Sequence, residues 1–221
     1  MKKNPLLNNN PLIVFSLLIF SQCIMSQTID KWYVNMPDAL NPTLTKQNRL
    51  ELLEYHKAGQ SDSVVNRFGN QTYLMSLDTL NQQILVKNTP SSAFEMKILT
   101  LDDSTKAIGI IRTVCAPVCM SSVEFYDTAW NLIPVQFTMP KSIEWLDVKS
   151  IPVDKIDIQW AKRLMGINFI SLRFSDKKQR IVAKNNILDF LSEQDRKVIA
   201  PYVPDKAISF ELKGQTWQRK P

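Results

Sequence analysis

The stretch Phe94-Glu95-Met96-Lys97-Ile98 decides the fold class, because apolar and charged residues alternate along it. An alternation with a period of two is typical of a half-buried β-strand. A turn is favoured by the next polar residues, Asp102, Asp103 and Ser104. The β-branched run from Ile108 to Val114 predicts the return strand. The sequence therefore predicts a β-hairpin over residues 93–114.

Segments with strand character flank this hairpin on both sides. Downstream, residues 123–125 begin a strand that residues 130–135 continue after a turn. A second hairpin is predicted over 168–184, either as a degenerate repeat of the first or as an unrelated hairpin. Upstream, an apolar strand face is predicted from the alternate residues Tyr73, Met75 and Leu77. Because the connections are short, we predict an antiparallel meander.

Three short helices accompany the predicted strands. The first covers Lys46 to Lys57, with Thr45 as its N-cap and Gly59 after its end. The others cover residues 154–165 and the segment that follows the capping residue Ser192. Residues 32–42, which contain two prolines, are predicted to be irregular, and residues 208–212 to form a last strand. We therefore predict an α+β fold: mainly an antiparallel sheet with a few short helices packed on it.

The first 26 residues are typical of a signal peptide. Lys2 and Lys3 form a basic start, and the apolar stretch between Pro11 and Met25 has the length of a signal core rather than of a spanning helix. We expect cleavage between Ser26 and Gln27. The mature protein, residues 27–221, is then one α+β domain in the periplasm, at the outer membrane or in the medium.

Two other fates for this segment are weighed against cleavage. Cys23 could carry a lipid, but Gln22 stands where lipoprotein signals place a small residue, so we do not expect a lipid anchor. The apolar run is also short for an uncleaved anchor, and no later segment is apolar enough to cross a bilayer.

The charge balance argues against a nucleic-acid partner. The formal net charge is +6, and removal of Lys2 and Lys3 would reduce it to +4. The basic residues form no dense stripe, which nucleic-acid binders usually have. We expect an envelope protein or a glycan as the partner instead.

Cys115 and Cys119 are the only cysteines of the predicted mature chain. Export would place them in an oxidising compartment, and the three residues between them include a proline, so we predict a disulfide that clips a hairpin loop. Two free thiols and a redox-active dithiol are the alternatives. Such motifs usually space their cysteines by two residues at a helix N-terminus, whereas strands are predicted on both sides here.

No residue pattern predicts a catalytic, cofactor or metal site. His56 is the only histidine, so a zinc site lacks ligands and a Ser-His-Asp triad has little support. Neither a nucleophile elbow nor a phosphate-binding glycine loop is present. A pair of carboxylates from distant strands stays open. The aromatic residues are expected mainly in the core, although they could also line a ligand surface.

Several short motifs resemble a family of exported Bacteroidetes proteins, domain of unknown function 3256. They are Met36-Pro37-Asp38, Leu44-Thr45, Asn48-Arg49-Leu50, Met96-Lys97-Ile98-Leu99, Asp103-Ser104-Thr105, Thr113 through Cys119, Phe125-Tyr126-Asp127 and Trp130. The resemblance covers most of the mature chain. It implies export and a shared fold, and it implies no activity.

Two functional classes follow from the sequence. The first is a non-catalytic binding or assembly module of the cell envelope, which would use a sheet face or a sheet edge. The second is an extracytoplasmic hydrolase, which would need two carboxylates converging in one pocket.

Overall fold

The computed structural model describes residues 28–101, 105–175 and 179–220. The predicted signal peptide, Cys23 and the Ser26–Gln27 cleavage site lie outside the described residues, as does the predicted turn at 102–104. The boundary of the mature domain at residue 27 stays a prediction.

The described residues contain ten strands, which form two antiparallel sheets. The larger sheet runs in chain order and contains β1 (Ser63–Val65), β2 (Gln71–Asp78), β3 (Gln83–Thr89), β4 (Ser92–Thr100), β5 (Lys106–Cys115) and β6 (Cys119–Tyr126). The smaller sheet has the order β10-β9-β8-β7 and contains β7 (Ile170–Phe174), β8 (Arg180–Asn185), β9 (Ile208–Lys213) and β10 (Thr216–Arg219). The fold is thus α+β with a dominant antiparallel meander, as the alternating residues predict.

Within the ranges that the structure describes, four short α-helices accompany the sheets: α1 (Ile29–Asn35), α2 (Lys46–Lys57), α3 (Ile158–Leu164) and α4 (Glu193–Ile199). Helix α2 has the predicted bounds, and the Thr45 hydroxyl accepts a hydrogen bond from the Asn48 N–H at its start. Helix α4 begins in the same way, with Ser192 accepting from the Asp195 N–H. These side chains satisfy N–H groups that a helix start leaves without partners.

Each face of the larger sheet carries part of the hydrophobic core. Phe94, Met96 and Ile108 pack with apolar residues of α1 and α2 in one core cluster. Leu99 and Ile111 belong to the other cluster, which includes the smaller sheet, α3 and α4. The prediction of a half-buried β4 was therefore wrong: Glu95 and Lys97 are both buried. Sequence alternation indicated a polar face, but that face meets the second sheet rather than solvent.

Gly109 allows the two sheets to approach closely. A Cβ atom built on Gly109 would lie 2.7 Å from the ring carbon Cζ of Phe174 and 3.0 Å from a methyl carbon of Leu99. Any side chain at this position in β5 would push β7 away from the larger sheet.

Helix α1 corrects the prediction of an irregular segment. Ile29, Tyr33 and Met36 are buried at helical spacing, and the first two lie on the helix itself. Pro37 follows the helix instead of interrupting it. The prolines were therefore given too much weight, because they stand where a helix can end.

Other predicted elements differ in detail. On β2 the buried side chains are Thr72 and Leu74, whereas Tyr73 and Met75 are exposed, so the predicted apolar face is reversed. Residues 130–135 form no strand; they meet β6 at the isolated bridge between Tyr126 and Leu132 and through the hydrogen bond from the Ile133 N–H to the Phe125 carbonyl. The helix predicted over residues 154–165 is shorter in the structure: α3 begins at Ile158, after its cap Asp157.

Candidate functional site

Strand β7 lies across the larger sheet and directs its unpaired edge toward it. The Leu172 N–H donates to Ser121 Oγ over 2.9 Å, and the Phe174 carbonyl accepts from Gln83 Nε2 over 3.3 Å. Lys97 Nζ donates to the Ser175 carbonyl over 2.7 Å. Side chains of the larger sheet therefore satisfy backbone groups that an edge strand would otherwise leave open.

Glu95 lies at the centre of this contact and is 2% exposed. Its Oε1 accepts a hydrogen bond from Gln83 Nε2 over 2.7 Å, and the Phe174 N–H also contacts the carboxylate. None of the residues that the structure describes donates a hydrogen bond to its Oε2. The Arg173 Nε atom is 3.6 Å from this oxygen, which is close enough for an ion pair and too far for a strong hydrogen bond.

The surroundings of Glu95 make it the most perturbed carboxyl of this region. Burial raises the pKa of Glu95 to about 7, because desolvation disfavours the charged form. The positive charge of Arg173, the Phe174 N–H, Gln83 and Lys97 act in the opposite direction and limit the increase.

A groove of about 640 Å³ opens where the two sheets meet at this point. Its floor belongs to β2, β3 and β4 of the larger sheet, and its wall is the outward face of β7 and β8. The lining is mostly apolar. The charged lining residues are one acid, Glu95, and three exposed bases, Lys87, Arg173 and Lys184.

The disulfide lies at one end of this groove. Cys115 and Cys119 face each other as the last pair of the β5–β6 hairpin, and their sulfur atoms are bonded. Both cysteines line the groove. Asn186 Nδ2 donates to the Cys119 carbonyl over 2.9 Å, so the hairpin end is tied to the smaller sheet. The disulfide fixes the position of this end of the groove.

His56 takes no part in the groove. It lies in the last turn of α2, partly exposed, with its Nδ1 atom 2.6 Å from Asp62 Oδ1. Across the described ranges, no three side chains of His, Cys, Asp or Glu cluster as metal ligands would. Among the tryptophans, Trp145 and Trp217 are core residues, and Trp32 packs edge-on against Trp130.

Among the described residues, the groove holds no carboxylate pair of the kind that a hydrolase needs, since Glu95 is the one acid that lines it. Two smaller depressions each have two acidic residues. In the first, Asp189 and Asp205 are exposed and lie near Arg196 and Lys184. In the second, Glu144 pairs with Arg219, and a hydrogen bond from Ser150 outweighs slight burial and lowers the pKa of Asp147. A general acid needs a raised pKa instead.

Glu95 and Arg173 are not among the site residues that the sequence predicts. The alternation in each strand did indicate which way these residues point, because a charged residue in an alternating strand faces away from that strand's apolar side. The sequence could not show that two such polar faces, from strands about 80 positions apart, meet at one corner.

No described helix has the length and apolar character needed to cross a bilayer. A comparison with curated proteins finds no match. A solved structure, a domain of an uncharacterized protein from Porphyromonas gingivalis W83, is similar in fold at 17% sequence identity, with a TM-score of 0.71. The likeness covers 87% of this chain and 97% of that domain. The family model described as "Protein of unknown function (DUF3256)" matches residues 21–217, so this chain belongs to that family.

Proposed function

We propose that this chain is an exported, non-catalytic binding module of the cell envelope, and that the groove between its two sheets receives the partner. One observation carries the proposal: a largely apolar groove of about 640 Å³, with three basic residues on its lining, lies beside a buried carboxylate. This size and character are typical of ligand sites in proteins. An envelope protein or a glycan would be the partner.

The sheet edges are less suited to binding than this face. Asn48 Nδ2 donates to the Val65 carbonyl at the β1 edge, and the Ile133 N–H donates to the Phe125 carbonyl at the β6 edge. Gln136 bridges to β10 through its backbone. Since β7 is satisfied by side chains, a partner strand would have to displace existing hydrogen bonds at each edge.

The glutamate supports binding over catalysis. Glu95 is held by Gln83 and by the backbone of Phe174, so it maintains the contact between the sheets. A hydrolytic mechanism of the kind considered above needs a second carboxylate close to it, and the other lining residues supply none.

Export is supported by the signal-like residues 1–26 and by the disulfide, which is typical of proteins outside the cytosol. We expect the native protein to begin at Gln27. Intact-mass measurement of protein purified from its own cells checks this start. A chain that retains Met1, or one acylated at Cys23, would contradict it.

Photocrosslinking in native cells tests the binding role of the groove. A benzoylphenylalanine at Ala207, an exposed lining residue, is compared with one at Lys162, an exposed residue of α3. We expect a saturable product from position 207 alone, which an added Ala93→Trp change suppresses by filling the groove. Equal labelling from both positions, or none from either, would overturn the proposal. Thermal melts of each variant establish that it is folded.

A further inference from the structure

We infer that the groove binds an acidic peptide segment in extended conformation, anchored where Glu95 and Arg173 meet. This inference rests on the proposed function and names the chemistry of the partner.

The anchor is a carboxylate oxygen, Glu95 Oε2, which accepts no hydrogen bond from the described residues and has only the 3.6 Å ion pair with Arg173. It is buried, and its residue lines the groove. A buried acceptor without a hydrogen-bond donor is costly, so a ligand N–H that reaches this oxygen beside Arg173 would remove that cost. A peptide backbone supplies N–H groups at regular intervals along an extended chain.

The charge of the lining favours an acidic partner. Lys87 lies on the floor strand β3, whereas Arg173 and Lys184 lie on the wall strands β7 and β8, so basic groups stand on both sides. Lys184 has only a 3.8 Å ion pair with the highly exposed Asp205. Pairs of this kind are weak and can be exchanged for a ligand carboxylate.

The apolar lining residues favour a partner segment in which apolar and acidic side chains alternate. Leu85 and Ala93 belong to the floor, and Val182 belongs to the wall, opposite Arg173 in the β7–β8 register. An extended segment points successive side chains to opposite sides, so apolar side chains can face the groove while acidic ones reach the lysines at its rim. The volume of the groove suits a short segment rather than a folded domain.

Calorimetric titration at pH 8 of the full mature protein with Ac-EVEVEV-NH2 tests this assignment. The comparison peptides are Ac-QVQVQV-NH2, Ac-KVKVKV-NH2 and Ac-ESESES-NH2, which remove the negative charge, reverse it or remove the apolar side chains. We expect the acidic apolar peptide to bind at least about tenfold more tightly than each of the others. Lys87→Gln and Lys184→Gln should each weaken it severalfold, and the matched control Lys162→Gln should not.

The role of Glu95 is tested first with modified peptides on the wild-type protein, and then with the Glu95→Gln variant. Peptides that are N-methylated at one backbone position at a time lose one N–H donor each. We expect one of these peptides to bind the wild type about tenfold more weakly than the unmethylated peptide does. Replacing the wild type by Glu95→Gln should not weaken the binding of that peptide further. Equal loss for all positions, or preference for the lysine peptide, overturns the inference. Binding of a muramyl glycan in place of the acidic peptide also overturns it while leaving the proposed function standing, whereas binding of phosphatidylglycerol vesicles would overturn both.

Discussion

Arg173 and Glu95 meet at the corner between the two sheets, with 3.6 Å between Arg173 Nε and Glu95 Oε2. The same carboxylate accepts a hydrogen bond from Gln83 through its other oxygen. Gln83 also donates to the Phe174 carbonyl of β7, so the Gln83 side of Glu95 belongs to the contact between the sheets, and Arg173 on its other side lines the groove. Fold and proposed site share this residue, so its ionisation affects both.

Stability is expected to fall as pH rises through the range set by Glu95. The pKa is about 7 in the folded chain and 4.5 in the unfolded chain, so the folded state binds more protons between these values. The free energy of unfolding then decreases from pH 4.5 to 7, by on the order of 3 kcal/mol. Urea melts of Glu95→Gln should lack this decrease. A wild-type slope that the variant retains would contradict the account.

Gly109→Ala is expected to destabilise the protein by about 1–3 kcal/mol, because its methyl group would overlap the Phe174 ring. Phe174→Leu in the same chain should recover part of that loss by making room. A double-mutant cycle of urea melts measures the coupling between the two positions. Strictly additive effects would show that the two sheets do not approach at Gly109 as described.

Arg49→Met is expected to cost about 3–5 kcal/mol of unfolding free energy. The Arg49 side chain is fully buried in α2 and donates to the carbonyls of Val34, Met36 and Leu44. Its loss would leave these acceptors without a donor and Asp38 without its ion pair. The control Arg67→Met, at an exposed position, should change stability by less than about 0.5 kcal/mol. Equal urea midpoints for both variants would refute the role of Arg49.

Loss of the disulfide is expected to cost about 2 kcal/mol, since the bond closes a loop of only five residues. Cys115→Ser with Cys119→Ser is compared with the wild type under non-reducing conditions. Thiol labelling of the native wild type should find both cysteines blocked. Full labelling before reduction would show that they are free thiols in the cell.

The main sheet could be predicted from sequence because its strands are local and alternate clearly. The residues between Phe94 and Val114 predict one hairpin, and β4 and β5 form it in register along their length. The cap at Thr45 likewise fixed the start of α2. Local hydrogen bonding decides such elements, and the sequence displays it directly.

The groove could not be predicted because it depends on contacts between distant segments. Lys97 and Ser175 are joined by a hydrogen bond across 78 positions of the chain. The reversed face of β2 has the same origin: Tyr73 and Met75 are apolar, yet they lie on the face that the smaller sheet leaves exposed. Periodicity reveals that a strand has two faces, but not which neighbour covers each face.

Lysine footprinting tests the central role of the groove most directly. The mature protein is acetylated with a limiting reagent, with and without envelope extract from its own cells, and each lysine is quantified by mass spectrometry. We predict that the extract protects Lys87 and Lys184 and leaves the exposed Lys162 unchanged. Protection of Lys162 with unchanged labelling of Lys87 and Lys184 would contradict the account, because the partner would then bind elsewhere on the molecule.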